Sequence, residues 1–273
     1  MGLPGFSLFL FSVDPVFIRS AVRAGVAGIV VDWESVGKRA RQSCANTEVN
    51  HHTAEDLRRV RGATDQLVIC RINSLHEGSA AEVEQALSAG ADELLVPMVR
   101  HSRDVEQILG LTRGRCRVGI LIETEDAVRL ARELSALPLS RVYVGLNDLA
   151  IDRGAQNIFH AVVDGTVERV RHACSPPFGF GGLTLPEAGR PIPCRLLIGE
   201  MARLDTQFSF LRRSFHQDIL GRDVDVEIPR LLAALAAARH RSAGEMAADQ
   251  RELAAAVESG GAELAAKGGA CQA

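Results

Sequence analysis

Eight short apolar runs recur along the chain, each followed by a more polar segment. They are Ser7 to Val13, Ile29 to Val31, Leu67 to Ile72, Glu93 to Val96, Arg117 to Ile122, Val142 to Val144, Phe178 to Leu183 and Gln207 to Leu211. Continuous apolar runs predict strands buried on both faces, as in a parallel sheet. The segments between them predict helices. Asp14-Pro15 opens one over Val16 to Arg23, with Gly25 as its stop. Thr53 caps the next, to about Val60, with Asp56 as a capping-box partner. Further helices are expected over Ser79–Ala89, from a Ser102 cap to Thr112, and from a Thr124 cap to Ala136. The last three are expected over Asn157–Ala173, over Arg195–Leu204, and from Asp223 or Asp225 to His240.

Eight strand-then-helix units predict an α/β fold, a (β/α)8 TIM barrel with right-handed crossovers, over residues 1–243. The chain's 273 residues suit one such barrel of about 250 residues and a tail. An open doubly wound sheet is the alternative, but no Gly-x-Gly-x-x-Gly follows the first strand. Residues 244–273 are rich in Ala, Glu and Gly and nearly free of large apolar residues. That composition predicts a C-terminal helical extension or a disordered, loosely held tail.

The net charge of −3 and the single Trp and Tyr give no basis for a nucleic-acid surface. No run reaches the roughly 20 apolar residues of a membrane span. Phe6 to Val13 has no Lys or Arg before it, so it reads as a strand and not a signal peptide. Six dispersed cysteines without a Cys-x-x-Cys pair fit a reducing, cytoplasmic setting.

In a barrel, chemistry sits where strands end. Those ends carry Asp14, Asp32, Glu34, Arg71, Asn73, Pro97, Glu123, Asp148, Thr184, Arg212 and Arg213. Taken singly, each has a bland reading: Asp14 as a helix cap, His51 and His52 as exposed imidazoles, Asp152 and Arg153 as a surface pair. Arg212 and Arg213 cannot both face inward, since neighbouring strand residues point to opposite sides. Taken together, Glu123 and Asp148 end successive strands and can converge on a hard divalent cation, Mg²⁺ or Mn²⁺. Two carboxylates leave coordination positions open for a chelating 2-oxo acid, whose enolate the cation would stabilise. Arg71 adds a planar positive fork beside it. The Gly145-Leu146-Asn147 turn offers backbone N–H groups to a carboxylate. Arg212 or Arg213, near the Gly181-Gly182 turn, offers a seat for a phosphate or further carboxylate.

Five segments carry a resemblance: Gly28-Ile-Val-Val-Asp-Trp-Glu34, Ile69-Cys-Arg-Ile-Asn73, Leu94-Leu-Val-Pro-Met-Val99, Leu121-Ile-Glu-Thr124 and Gly145-Leu-Asn-Asp-Leu149. In content and order they resemble the HpcH/HpaI aldolase/citrate lyase beta-subunit family of the phosphoenolpyruvate/pyruvate barrel superfamily. The resemblance implies a metal-dependent carbon–carbon lyase or aldolase, with Glu123 and Asp148 as metal ligands and Arg71 on the substrate oxyanion. It places Asp32 and Glu34 in an acidic shell around metal-bound water, and it implies a homo-oligomer acting on a small 2-oxo acid. The chain departs from the pattern in two places. Ser35 stands where many such aldolases carry a His and citrate-lyase-like members an Asp, and Ser is a poor base. The His-Pro motif of CoA-ester lyases is replaced by Leu211-Arg-Arg-Ser-Phe215. A CoA-ester lyase and a degraded-site barrel acting as a scaffold are the competing readings.

Overall fold

The computed structural model of the protein describes residues 5–35 and 52–268. Eight strands, β1 (Ser7–Phe11), β2 (Gly28–Asp32), β3 (Leu67–Arg71), β4 (Glu93–Val96), β5 (Arg117–Ile122), β6 (Arg141–Val144), β7 (Phe178–Phe180) and β8 (Phe208–Leu211), pair in parallel and in sequence order. β8 pairs back onto β1, closing the sheet into a TIM barrel. Strand sequences alternate within the buried runs. Phe9, Val30, Ile69, Leu95, Leu121, Tyr143, Phe208 and Phe210 fill the barrel interior. Their neighbours, such as Leu8, Leu10, Ile29, Val31 and Leu211, pack outward beneath the helices. Both faces are therefore dry, as the continuous apolar runs require.

The helices are α1 (Pro15–Arg23), α2 (Ala54–Arg61), α3 (Ser79–Ser88), α4 (Ser102–Thr112), α5 (Glu125–Arg129), α6 (Ala131–Ser135), α7 (Leu146–Arg153), α8 (His160–Val163), α9 (Thr166–Ala173), α10 (Cys194–Arg203), α11 (Arg213–Asp218), α12 (Val224–Ala238) and α13 (Ala243–Gly268). Caps set several starts. Asp14 accepts the Val16 N–H, Thr53 and Asp56 form the reciprocal capping box, and Thr124 accepts from Ala127. Ser102 does not cap: it is the first helical residue, and His101 before it makes no side-chain cap bond.

The expected single helix after β5 is two, broken at Leu130. The expected helix over Asn157–Ala173 is α8 and α9, separated at Gly165, whose φ is +81°. α7 and α11 replace predicted loop. β7 is shorter than its apolar run, and Leu183 adds one isolated bridge to Leu211.

The C-terminal extension is helical, and it is not loosely held where its side chains are described. Leu253 and Val257 are buried. The Asn157 side chain donates to the Val257 carbonyl at 2.7 Å. Asp249 pairs with Arg241 at 2.9 Å. Two apolar positions one helical turn apart suffice to dock α13 when a buried amide holds its backbone. Among the described residues, no helix is long and apolar enough to cross a membrane.

Candidate active site at the barrel mouth

The first layer of the mouth is built by β2 and β3. Parallel register sets Asp32 opposite Arg71. The Arg71 guanidinium grips Asp32 with both prongs, Nε to Oδ1 at 2.8 Å and Nη2 to Oδ2 at 2.7 Å. Its remaining nitrogen, Nη1, lies 3.4 Å from Glu34. Phe11 supports the guanidinium from below, 5.3 Å from ring centre to Cζ. Burial works against the Arg71 charge, yet Asp32, Glu34 and Glu123 outweigh it and raise its pKa above the ordinary arginine value. The fork expected to face substrate is therefore spent on Asp32. Asp32 also accepts the Glu34 N–H at 3.1 Å. Both acids, placed by resemblance in a shell around water, clamp the arginine and aim one edge of it.

The second layer comes from β5 and β6. Glu123 follows the last residue of β5 and is 3 % exposed. Its Oε2 accepts the Met98 N–H at 3.1 Å. Met98 adopts a positive φ of 52° in the turn after Pro97, which turns that amide toward the carboxylate. Asp148 is buried in the first turn of α7, where the free N–H groups of a helix start favour a carboxylate. Burial, then Asp148, then Glu34 push the Glu123 pKa well above the usual carboxylate range, against the pull of Arg71 and the Met98 amide. The structure thus brings Glu123, Asp148, Glu34, Asp32 and Arg71 into one electrostatic cluster.

Gly145 has a different use from the one expected. A Cβ there would sit 2.5 Å from Glu123 Oε1 and 2.6 Å from its Cγ. The residue is glycine because the Glu123 side chain lies against its backbone. Its own N–H is taken by the Ile122 carbonyl at 3.1 Å, so it has none to offer a ligand. Leu146 and Asn147 are not a nest-like turn but the first turn of α7, whose amides have no intrahelical acceptor by position. The Leu146 side chain is buried in the outer core.

Several other residues shape the rim. Asn73 binds Glu82 from its side chain at 2.6 Å and accepts the Ser35 N–H at 2.8 Å. Glu82 also meets His76 at 3.1 Å. His52 accepts the Asp32 N–H on Nδ1 at 3.1 Å, so that nitrogen carries no proton and is already engaged. His51 and most of the loop after Ser35 lie outside the described residues. Asp152 and Arg153 are not paired with each other. Asp152 holds Arg100 at 2.6 Å and the Glu125 N–H at 2.9 Å, while Arg153 binds Glu125 and Asp164. Arg212 is half-buried after β8, and Arg213 is exposed. Tyr143, whose phenol feels the charges of Glu123 and Arg71, and Met98, whose amide holds Glu123, escaped the sequence reading as parts of this site. The Pro97-Met98 turn right after β4 was the signal available for one of them.

The donor set can be tested against a divalent cation. Among the described residues no cluster of three or more His, Cys, Asp or Glu side chains has metal-binding spacing. What is present is a buried carboxylate pair in an acidic cluster with a single guanidinium. Its oxygens are hard donors, and its surplus negative charge calls for a cation, so the residues fit a weakly liganded Mg²⁺ or Mn²⁺ more than a fully caged ion.

Comparison with known proteins bears on the family and the fold of the chain. The model of the HpcH/HpaI aldolase/citrate lyase family matches residues 6–180, more than half of the chain. Among solved structures, RipC from Yersinia pestis is similar with a TM-score of 0.56 and 14 % identity, over 88 % of this chain and 98 % of that one. The citrate synthase SbnG is similar with a TM-score of 0.56 and 19 % identity, over 86 % of this chain and 94 % of its own. At these identities the likeness shows the fold. A search of curated protein sequences finds no match.

Proposed function

The chain belongs to the HpcH/HpaI aldolase/citrate lyase family, and from that premise we propose that it is a divalent-metal-dependent carbon–carbon lyase or aldolase acting on a small 2-oxo acid. Pyruvate or a close relative is the nucleophilic half. The observation that carries the reading is the convergence of buried Glu123 with Asp148 beside an arginine fixed on two other acids. Glu123 and Asp148 would hold Mg²⁺ or Mn²⁺. When bound, the cation supplies positive charge against the negative charge that develops on the substrate's keto oxygen.

The chain's own groups do the rest. Arg71, held by Asp32 and Glu34, presents one guanidinium edge to the same developing charge, already oriented before substrate arrives. The first-turn amides of Leu146 and Asn147 orient a substrate carboxylate. Burial of Glu123 keeps water from diluting these interactions. Ser35 cannot take a proton as the His or Asp of relatives would. The reading also includes a homo-oligomer and a cytoplasmic protein, the latter in keeping with four described cysteines that are all free thiols.

The test is a screen of hydroxy-oxo acids for Mg²⁺- or Mn²⁺-dependent pyruvate release, and of aldehydes for the reverse addition. Turnover that vanishes with chelator and in Glu123→Gln supports the proposal. No turnover on any member, with metal binding intact, favours a binding or scaffold protein on the same barrel.

A further inference from the structure

The β7–β8 side of the rim carries a second charged feature. Phe208 and Phe210 fill the barrel interior while Leu211 packs outward. Arg212, the residue after β8, keeps extended backbone angles, φ −73° and ψ 166°, and its side chain lies against the loop between β7 and α10. Two glycines flank it. A Cβ on Gly182 would lie 2.8 Å from Arg212 Cβ, and one on Gly189 would lie 2.7 Å from Nη2. Gly189 also has a φ of +109°, which a side chain would strain.

Among the described residues, none forms an ion pair with the guanidinium in this slot. Its Nε is buried without a hydrogen-bond partner. No described carboxylate lies within ion-pair distance, and the Asp218 carboxylate is engaged by the Thr184 hydroxyl. Burial lowers the Arg212 pKa, the effect of Asp218 notwithstanding. A desolvated charge without a partner is costly, and a bound anion offsets that cost.

We propose that Arg212, seated between Gly182 and Gly189, is an anion-binding residue that receives a carboxylate or phosphate group of a ligand at the barrel mouth. The planar fork suits either oxyanion, and the loops after strands 7 and 8 are where such barrels bind phosphate. Arg212 is not among the leading charges acting on Glu123 or Arg71, and the charges acting on it come from Cys194 and Asp218, so the site stands apart from the carboxylate pair. The inference therefore does not depend on the proposed reaction. If both hold, the substrate carries a second acid group beyond the one at the carboxylate pair.

The experiment is calorimetric titration of the metal-free, full-length protein with inorganic phosphate and, separately, with succinate. One of the two should bind the parent and bind about tenfold or more weakly to Arg212→Gln, the loss expected for a charged hydrogen-bond pair. Preference for phosphate identifies a phosphorylated ligand, and preference for succinate a second carboxylate. Ligand-free Arg212→Gln and Arg212→Met should melt at or above the parent temperature, because an uncompensated charge has gone. Equal anion affinity in parent and variants, or no binding by the parent, overturns the proposal. So does unfolding of both ligand-free variants, which would make Arg212 a structural residue.

Discussion

Two arginines grip a carboxylate with both prongs inside this barrel, and they are put to opposite uses. Arg141 opens β6 and Glu93 opens β4, so their pair lies at the N-terminal end of the barrel. Nε meets Oε1 at 2.5 Å and Nη2 meets Oε2 at 2.8 Å. The guanidinium packs against Phe9 and Phe208, 4.4 and 5.1 Å from the ring centres. One acid answers one base, and aromatic rings seal them. Arg71 at the other end has the same grip on Asp32, but Glu34, Glu123 and Asp148 crowd around it with no further arginine in the described cluster. Each end also has a glycine that makes room. A Cβ on Gly119 would fall 2.7 Å from Arg141 Cγ and 2.9 Å from Glu93 Oε1, as one on Gly145 would strike Glu123. Charge balance, and not burial or geometry, separates the plug from the site.

The sharpest way to break this comparison is to unbalance the plug. Glu93→Gln leaves a buried guanidinium unanswered and should cost about 3–5 kcal/mol in urea unfolding. Replacing both partners, Glu93→Leu with Arg141→Met, should recover most of that loss. A Glu93→Gln protein as stable as the parent would show that the pair is not what closes this end.

The two glycines should come next. Gly119→Ala and Gly145→Ala both overpack, at about 1–3 kcal/mol each. Only Gly145→Ala should weaken Mn²⁺ binding and turnover, because only it displaces Glu123. Equal effects of the two on Mn²⁺ affinity would erase the distinction between the ends.

A smaller effect should have the opposite sign. Burial and two neighbouring acids hold the Glu123 carboxyl protonated above its usual range. The folded metal-free protein therefore binds that proton more tightly than the unfolded chain does. Its contribution is fully present below the unfolded carboxylate value of about 4.3 and is lost as pH rises through the higher folded value. Thermal melts in chelator should show the parent losing stability with rising pH more steeply than Glu123→Gln. At neutral pH the variant should be the more stable of the two. Parallel pH profiles would count against the acidic cluster.

Much of the barrel was legible because each strand is buried on both faces, and a continuous apolar run has few other readings. Arg117–Ile122 is the clear case. α7 was not legible, since Gly145-Leu-Asn-Asp reads locally as a turn, and packing of Leu146 and Leu149 decides it. The mouth was legible as a set of residue types at strand ends. Its wiring was not, because Arg71 and Asp32 are 39 residues apart and register alone joins them. Nothing local in Gly145 shows that the side chain of Glu123 rests upon it. Arg153 was read with its sequence neighbour Asp152, but helical geometry sends the two to different partners.

The central claim is that the unbalanced acids at the mouth hold a divalent cation. Titration calorimetry with Mn²⁺ on the parent, Glu123→Gln, Asp148→Asn and Arg71→Lys tests it directly. The account predicts sharply weakened binding in both carboxylate variants and near-parent affinity in Arg71→Lys, whose charge remains though its fork is lost. Unchanged Mn²⁺ affinity in both Glu123→Gln and Asp148→Asn would contradict it.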